Sequence, residues 1–266
     1  MQAVVFRQPA FIRIMKLKEL FDRISFYFTV PKCVGCGKRL GVNDNTLCPE
    51  CIKLHSQLKT RNCSICSKTL DKCDCSNKFL KSHKIKRVFK LFRYIPDEEG
   101  TPSNNLIYSL KRNNRRDVVN FLADELTAVI SNSITNYKDF IITNVPRRKS
   151  AVKQYGYDHA AVLSKAIAKR LEIRYESLLK SKAKRAQKKM SSEERRENAR
   201  AVPRKNIDLK GKRIILLDDI ITTGSSMAVC ADVLKSLRAK EIVGVAISIA
   251  YKDEYTPFPK SEYVYW

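Results

Sequence analysis

Apolar residues follow two rhythms along this chain. Short apolar-rich runs, Phe140-Ile-Ile-Thr-Asn-Val145, the unbroken Ile214 to Leu217, and Ile242 to Ile249, suit strands buried on both faces of a parallel sheet. Elsewhere apolar positions recur at helical spacing. They fall at 17, 20, 21, 24 and 28; at 119, 122, 123, 126, 129 and 130; at 160, 163, 167 and 171; and at 229, 233, 234 and 237. A helix starting at Leu106 is interrupted at Asn113-Asn114, after a turn over Asp97 to Pro102. Lys86 to Arg93 alternates loosely, which predicts a strand with one wet basic face. Strand, helix and strand in succession over 214–249 require a right-handed parallel crossover. The pattern as a whole predicts an α/β fold, a parallel sheet flanked by helices.

Chemistry concentrates where one of these strands is expected to stop. After Ile214 to Leu217 come two carboxylates, Asp218 and Asp219, then Thr222, Thr223, Gly224, Ser225 and Ser226, where a helix should begin. A helix N-terminus offers unpaired N–H groups and a positive dipole end, so it receives phosphate well. Gly224 would let backbone approach such a group closely. Carboxylates repel phosphate but accept hydrogen bonds from sugar hydroxyls. A ribose 5-phosphate satisfies both halves of the stretch. The bland reading is a βα turn with a solvated acidic end.

Eight cysteines stand in four close pairs, Cys33/Cys36, Cys48/Cys51, Cys63/Cys66 and Cys73/Cys75. Cysteines this close bridge each other poorly. Two pairs can instead share one metal ion as a tetrahedral S4 zinc site. The sequential solution puts Cys33, Cys36, Cys48 and Cys51 on one ion and Cys63, Cys66, Cys73 and Cys75 on another. A cross-braced arrangement uses the same pairs, and His55 and His83 are conceivable substitutes. Few large apolar residues lie between Pro31 and Lys78, so metal would supply much of the folding energy there, in a structural role. The ninth, Cys230, has no partner and reads as a small core residue.

Charge adds a partner class. The net charge is +25. Residues 1–79 carry 14 Lys/Arg against 6 Asp/Glu, and 80–266 carry 38 against 21, so an excess of +17 lies in the second part. Such a field favours polyanions, nucleic acid or an acidic membrane surface, as well as phosphorylated small molecules. Arg147, Arg148 and Lys149 follow a strand's C-terminal end, the usual ligand crevice of an open α/β sheet, and suit pyrophosphate or nucleic-acid phosphate. Tyr155 and Tyr157 flank Gly156 in an expected loop and could stack on a base, while His159 reads first as a cap or packing residue and second as a general acid/base. Residues 180–206 hold 11 Lys/Arg, 3 Asp/Glu and almost no large apolar side chains, the composition of a mobile lid or polyanion-binding arm. No apolar run reaches the roughly 18–20 residues of a membrane span, and no secretory signal is recognisable, so a cytoplasmic protein is expected. Met15 is a plausible native start, with residues 1–14 a misread extension.

The 218–226 stretch closely resembles the phosphoribosyl pyrophosphate (PRPP) motif of type I phosphoribosyltransferases. The cysteine pairs, Tyr108-Ser-Leu-Lys111, Val145-Pro146 with its bases, Gly156-Tyr-Asp-His-Ala160, Gln187 with Ser191, and Arg195 with Asn198 together resemble the ComF/GntX family of competence-associated proteins over roughly residues 15–251. The resemblance implies a type I phosphoribosyltransferase-like domain over 80–266, behind an extension and helix at 1–30 and a zinc module at 31–79. It implies PRPP with Mg²⁺ at Asp218, Asp219 and Thr222, Thr223, Gly224, Ser225 and Ser226, and pyrophosphate at Arg147 and Arg148. Asp218, Asp219 and Arg147 are then the residues expected to carry any chemistry. It also implies handling of single-stranded DNA in natural transformation, beside a helicase-like partner. Two positions depart from the family pattern, Tyr155 where Arg is usual and His159 where Gln is common. Three functions compete: a DNA-uptake protein with a PRPP site, a nucleobase salvage phosphoribosyltransferase, and a regulator with a vestigial site.

Overall fold

The structure is a computed structural model that describes residues 31–41, 44–94, 101–182 and 200–250. The helix expected around residues 15–28, and most of the basic segment with Gln187, Arg195 and Asn198, lie outside these. In chain order the elements are α1 (Pro49–Lys59), α2 (Lys78–Ser82), β1 (Val88–Arg93), α3 (Pro102–Asn113), α4 (Arg116–Ser133), β2 (Phe140–Asn144), α5 (Lys149–Tyr155), α6 (His159–Leu171), β3 (Leu179–Ser181), β4 (Ala201–Pro203), β5 (Arg213–Ile221), α7 (Ser225–Ser236) and β6 (Glu241–Ile249).

Four strands form a parallel sheet in the order β1-β6-β5-β2, with Ile214 beside Ile141 on one side and Ile242 on the other. Side chains alternate across β5, so consecutive residues enter different layers. Ile215 and Leu217 pack with Leu106, Leu110, Leu122, Leu126, Leu163 and Ile167, from α3, α4 and α6. Ile214 and Leu216 pack with Leu80, Met227, Ala231 and Leu234, from α2 and α7. Each such aliphatic side chain, fully buried, contributes about 1.5–3 kcal/mol of transfer free energy.

Helix ends follow local chemistry. Pro102 opens α3 behind Thr101, whose side chain accepts from the Asn104 amide, and Asn114 closes it in the left-handed region at φ 45°. Asp158 caps α6 by accepting from the Ala161 amide.

Three expectations need correction. The strand carrying the acidic pair does not stop there: β5 runs on to Ile221, and Ile220 and Ile221 still pair with Ser248 and Ile249. Strand β1 has no wet face. Its residues Val88 to Phe92 are all buried, and Lys90 is 1% exposed. The neighbouring cysteine-rich segment covers the face that alternation alone would leave to water. Finally, the ends of the basic 180–206 segment are ordered, β3 pairing antiparallel with β4, Leu179 opposite Pro203.

Candidate functional site

The crevice is set by topology. From β2 the chain passes through α6 and returns beside β2 at Tyr175, which pairs parallel to Ile142, with the Ile142 amide donating to Arg174 O at 2.9 Å. Across β2 lies β5, from which α7 leads the other way to β6 on the opposite face. The order of connections therefore reverses between β2 and β5, and ligands of open α/β sheets bind outside the carboxyl ends at such a point. Arg147 to Lys149 and Thr222 to Ser226 leave the sheet there, with Asp218 and Asp219 still on β5.

The acidic pair is electrically asymmetric, because two basic side chains converge on Asp219. Asp219 Oδ2 lies 2.6 Å from His159 Nε2 and 2.9 Å from Lys111 Nζ. Burial opposes its ionisation, but Lys111 and His159 overcome this and hold its carboxyl well below the usual aspartate range. Burial and the nearby Asp219 push Asp218 well above that range. Asp218 Oδ1 accepts from the Asp219 amide at 2.9 Å, and Asp219 Oδ1 from the Ile220 amide at 2.6 Å. His159 is thus neither cap nor filler. It stands at the first position of α6 with its ring against the acidic pair, and its buried Nδ1 has no hydrogen-bond partner. In the sequence Lys111 stands only as the last residue of Tyr108-Ser-Leu-Lys111. Its place three residues before the helix-breaking Asn114 gave no sign of what it would touch.

Beyond Ile221 the chain turns from β5 into α7. Gly224 caps α7 at φ 85°, and a Cβ there would also meet Leu80 Cγ at 2.8 Å. Glycine is therefore required twice over, by backbone conformation and by the α2 side chain behind it. Thr223 Oγ1 and Ser225 Oγ lie 2.6 Å apart, and the Ser225 amide donates to Thr223 Oγ1 at 3.3 Å. Thr222 and Ser226 flank this hydroxyl pair, Ser226 in the first turn of α7.

On the β2 side, Asp158 Oδ2 accepts from the Arg147 amide at 2.9 Å and shapes the 144–147 turn. The Arg147 guanidinium stacks 4.4 Å from the Tyr155 ring and 5.9 Å from that of Tyr157, and donates to Tyr157 O and Lys111 O. Tyr155 closes α5 instead of sitting in a loop, and Tyr157 Oη donates to Leu110 O at 2.8 Å. So both tyrosines hold Arg147, and Tyr157 also holds the end of α3. Arg148 precedes α5 as its cap residue. Lys149 and Ser150 line a cleft with Lys180, Ser181 and Lys182, a wholly cationic and hydroxyl lining.

The cysteines fall into the sequential sets. Cys33, Cys36, Cys48 and Cys51 form one group and Cys63, Cys66, Cys73 and Cys75 another, each with all sulfurs within 4.8 Å of one another. The donor set fits a tetrahedral thiolate site: Zn–S bonds of ~2.3 Å imply S···S edges of about 3.8 Å, and Cys36 Sγ and Cys48 Sγ are 3.7 Å apart. Burial drives the Cys48 thiol to about 11 and Cys51 higher still. Against its burial, backbone hydrogen bonds from Cys48, Cys36 and Gly35 lower Cys33 to about 7, and a cation among the sulfurs would favour the ionised form of the whole set. The histidines pair elsewhere, His55 with Ser103 Oγ at 2.8 Å and His83 with Asp232 at 2.7 Å. Lys90 Nζ donates to Cys73 Sγ at 2.9 Å, a buried contact the sequence did not suggest.

Comparison with known proteins bears on this site. Residues 158–265 match the family model described as phosphoribosyl transferase domain. The DNA utilization protein YhgH of Escherichia coli O6:H1 is 24% identical over 210 residues, covering 76% of this chain and 83% of that protein. A ribose-phosphate pyrophosphokinase of Pyrococcus abyssi is 46% identical over 41 residues, 15% of this chain and 14% of that one. Among solved structures, a hypoxanthine phosphoribosyltransferase of Staphylococcus aureus aligns with a TM-score of 0.34 at 13% identity, over 52% of this chain and 68% of that one. The parallel sheet flanked by helices, together with the family-model match, is the type I phosphoribosyltransferase fold, and such a domain implies a phosphoribosyl ligand.

Proposed function

We propose that this chain is a ComF-type protein that binds PRPP with Mg²⁺ at the β2/β5 crevice and handles single-stranded DNA in the cytoplasm. The observation that carries the reading is the placement of Asp219, ionised by Lys111 and His159, on the same strand–turn–helix as the Thr222–Ser226 loop. Asp218 and Asp219 receive the ribose hydroxyls, and Thr222, Thr223, Gly224, Ser225 and Ser226 the 5-phosphate. Arg147 and Arg148 face the pyrophosphate. Mg²⁺ takes one or two carboxylates and keeps phosphate oxygens and waters, which suits this pair, and when bound it would neutralise charge on pyrophosphate. Zinc at the two four-cysteine sets holds the 31–79 module ahead of the 80–266 domain. Support for the nucleic-acid role is the likeness to DNA utilization proteins over 76% of the chain and the acid-free cleft of Lys149, Lys180 and Lys182.

Two titrations test this. Calorimetry with PRPP-Mg²⁺ should show binding by the wild type and at least about tenfold weaker binding by Asp218→Asn/Asp219→Asn, since each substitution replaces one carboxylate oxygen, an acceptor and metal ligand, with a donor. No heat with wild type would defeat the ligand assignment. Affinity for a short oligonucleotide should fall steeply and linearly on a log–log plot as salt rises. A flat response would remove the DNA role. Pyrophosphate release on adding a nucleobase would move the protein to the salvage enzymes instead.

A further inference from the structure

Helix α3 spans the distance between two features that the sequence kept separate. Its first turn is docked on the first four-cysteine set. Asn105 Nδ2 donates to Gly35 O at 2.7 Å, in the loop between Cys33 and Cys36. Ser103 Oγ lies 2.8 Å from His55 Nδ1, on the helix that starts just after Cys48. Gly35 itself is hemmed in: a Cβ there would meet Cys51 Sγ at 2.7 Å and Pro102 Cβ at 2.9 Å, so cysteine set and helix start leave room for glycine only. The last turn of α3 is docked on the ligand crevice. Lys111 Nζ meets Asp219 Oδ2 at 2.9 Å, Leu110 O accepts from Tyr157 Oη at 2.8 Å, and Lys111 O accepts from Arg147. Between the ends, Leu106, Ile107 and Leu110 are fully buried. Twelve residues at ~1.5 Å each make a strut of about 18 Å, stiff over its whole length.

We propose that metal at Cys33, Cys36, Cys48 and Cys51 sets the ligand site through α3, with Lys111 as the positioning residue at the far end. A bound ion locks the 33–36 loop and the start of α1 to each other. That loop and α1 together grip Pro102, Ser103 and Asn105, and the strut places Lys111 Nζ 2.9 Å from Asp219 Oδ2, where it positions that carboxyl for a ribose hydroxyl. Loss of the ion frees the grip, and the last turn of α3 loosens against Asp219. The cysteine module is then part of the ligand site's control, not a separate appendage. The inference rests on the ligand reading above for its consequence, but its mechanical core does not.

The test uses the full chain with both sites metal-loaded, and three variants. Cys36→Ser weakens the first site, Asn105→Ala cuts the grip without touching a metal ligand, and Lys111→Met removes the far contact. Elemental analysis should find Asn105→Ala still carrying its full metal complement. Amide exchange over 110–114 should then be roughly tenfold faster in Asn105→Ala and Cys36→Ser, with α7 unchanged. Faster exchange confined to 101–105 would overturn the proposal. In the second arm, Asn105→Ala and Lys111→Met should each weaken PRPP-Mg²⁺ binding roughly fivefold, and the double variant should be no weaker than Lys111→Met alone. Full additivity would show that the two act independently and would also overturn it. If the wild type takes up no PRPP, the ligand reading falls alone, and the exchange measurement still decides the coupling.

Discussion

At the scale of single residues, the decisive groups are those whose charge is answered by a partner distant in sequence. Asp219 is ionised because Lys111 and His159, from two other elements, share its Oδ2. Lys90 is similar. Buried in β1, its Nζ donates to Cys73 Sγ, Cys75 O and Val88 O. Lys90→Met should therefore cost roughly 3 kcal/mol in denaturant melts, because thiolate and carbonyls lose a buried donor. Glu125 in α4 gives a pH signature. Burial alone would raise its carboxyl, but His55 and Lys59 hold it below the usual glutamate value. A carboxyl lower in the folded than in the unfolded chain adds stability that is complete above about pH 4.3 and drains away as pH falls through the folded value. Glu125→Gln should be less stable than wild type at neutral pH, and urea melts toward about pH 3 should show the gap closing. A gap that widened in acid would contradict the assignment.

At the scale of elements, the turn from β5 into α7 shows how one helix limits another. Short α2 places Leu80, fully buried, against the Cα of Gly224. Gly224→Ala must adopt a left-handed φ, at about 1–2 kcal/mol, and must also displace Leu80. The expected outcome is a loss of at least that amount in urea melts, together with weakened PRPP binding. Leu80→Ala alone should cost about 2–5 kcal/mol as a cavity. Combined with Gly224→Ala it should cost less than the sum, because the cavity admits the new methyl group. Strict additivity would mean that Leu80 does not confine the loop.

At the scale of the whole molecule, the cysteine module and the sheet are joined by buried contacts. Cys33, Cys48 and Cys51 share a core with α3 and α4, and Lys90 ties Cys73 to the sheet edge. Elemental analysis is expected to find two zinc ions per chain, and Cys36→Ser to lower that number. Stripping zinc with a strong chelator should expose thiols to a titrating reagent and lower the thermal midpoint. Unchanged melting after metal removal would show that packing alone holds the module. No helix among the described residues is long and apolar enough to cross a membrane.

Local pattern was sufficient for several features. Apolar-rich runs marked β2, β5 and β6, and helical spacing marked α4, α6 and α7, because burial on two faces or on one stripe writes its period into the chain. Likewise Asp218 to Ser226 marked a strand-to-helix turn, since strand, carboxylates, hydroxyls and glycine stand adjacent in sequence. The cysteine spacing defined four pairs but left their combination open. Only the tertiary structure put Cys33 with Cys51 and Cys63 with Cys75, and only it decided that β1 has no wet face, that β5 outruns its carboxylates, and that His159 and Lys111 converge on Asp219. These facts depend on which segments pack together across the fold, from Lys90 and Cys73, 17 positions apart, to His159 and Asp219, 60 positions from each other. A periodicity records that a side chain is buried. It carries no record of which neighbour does the burying, and at Asp219 the neighbour sets the charge.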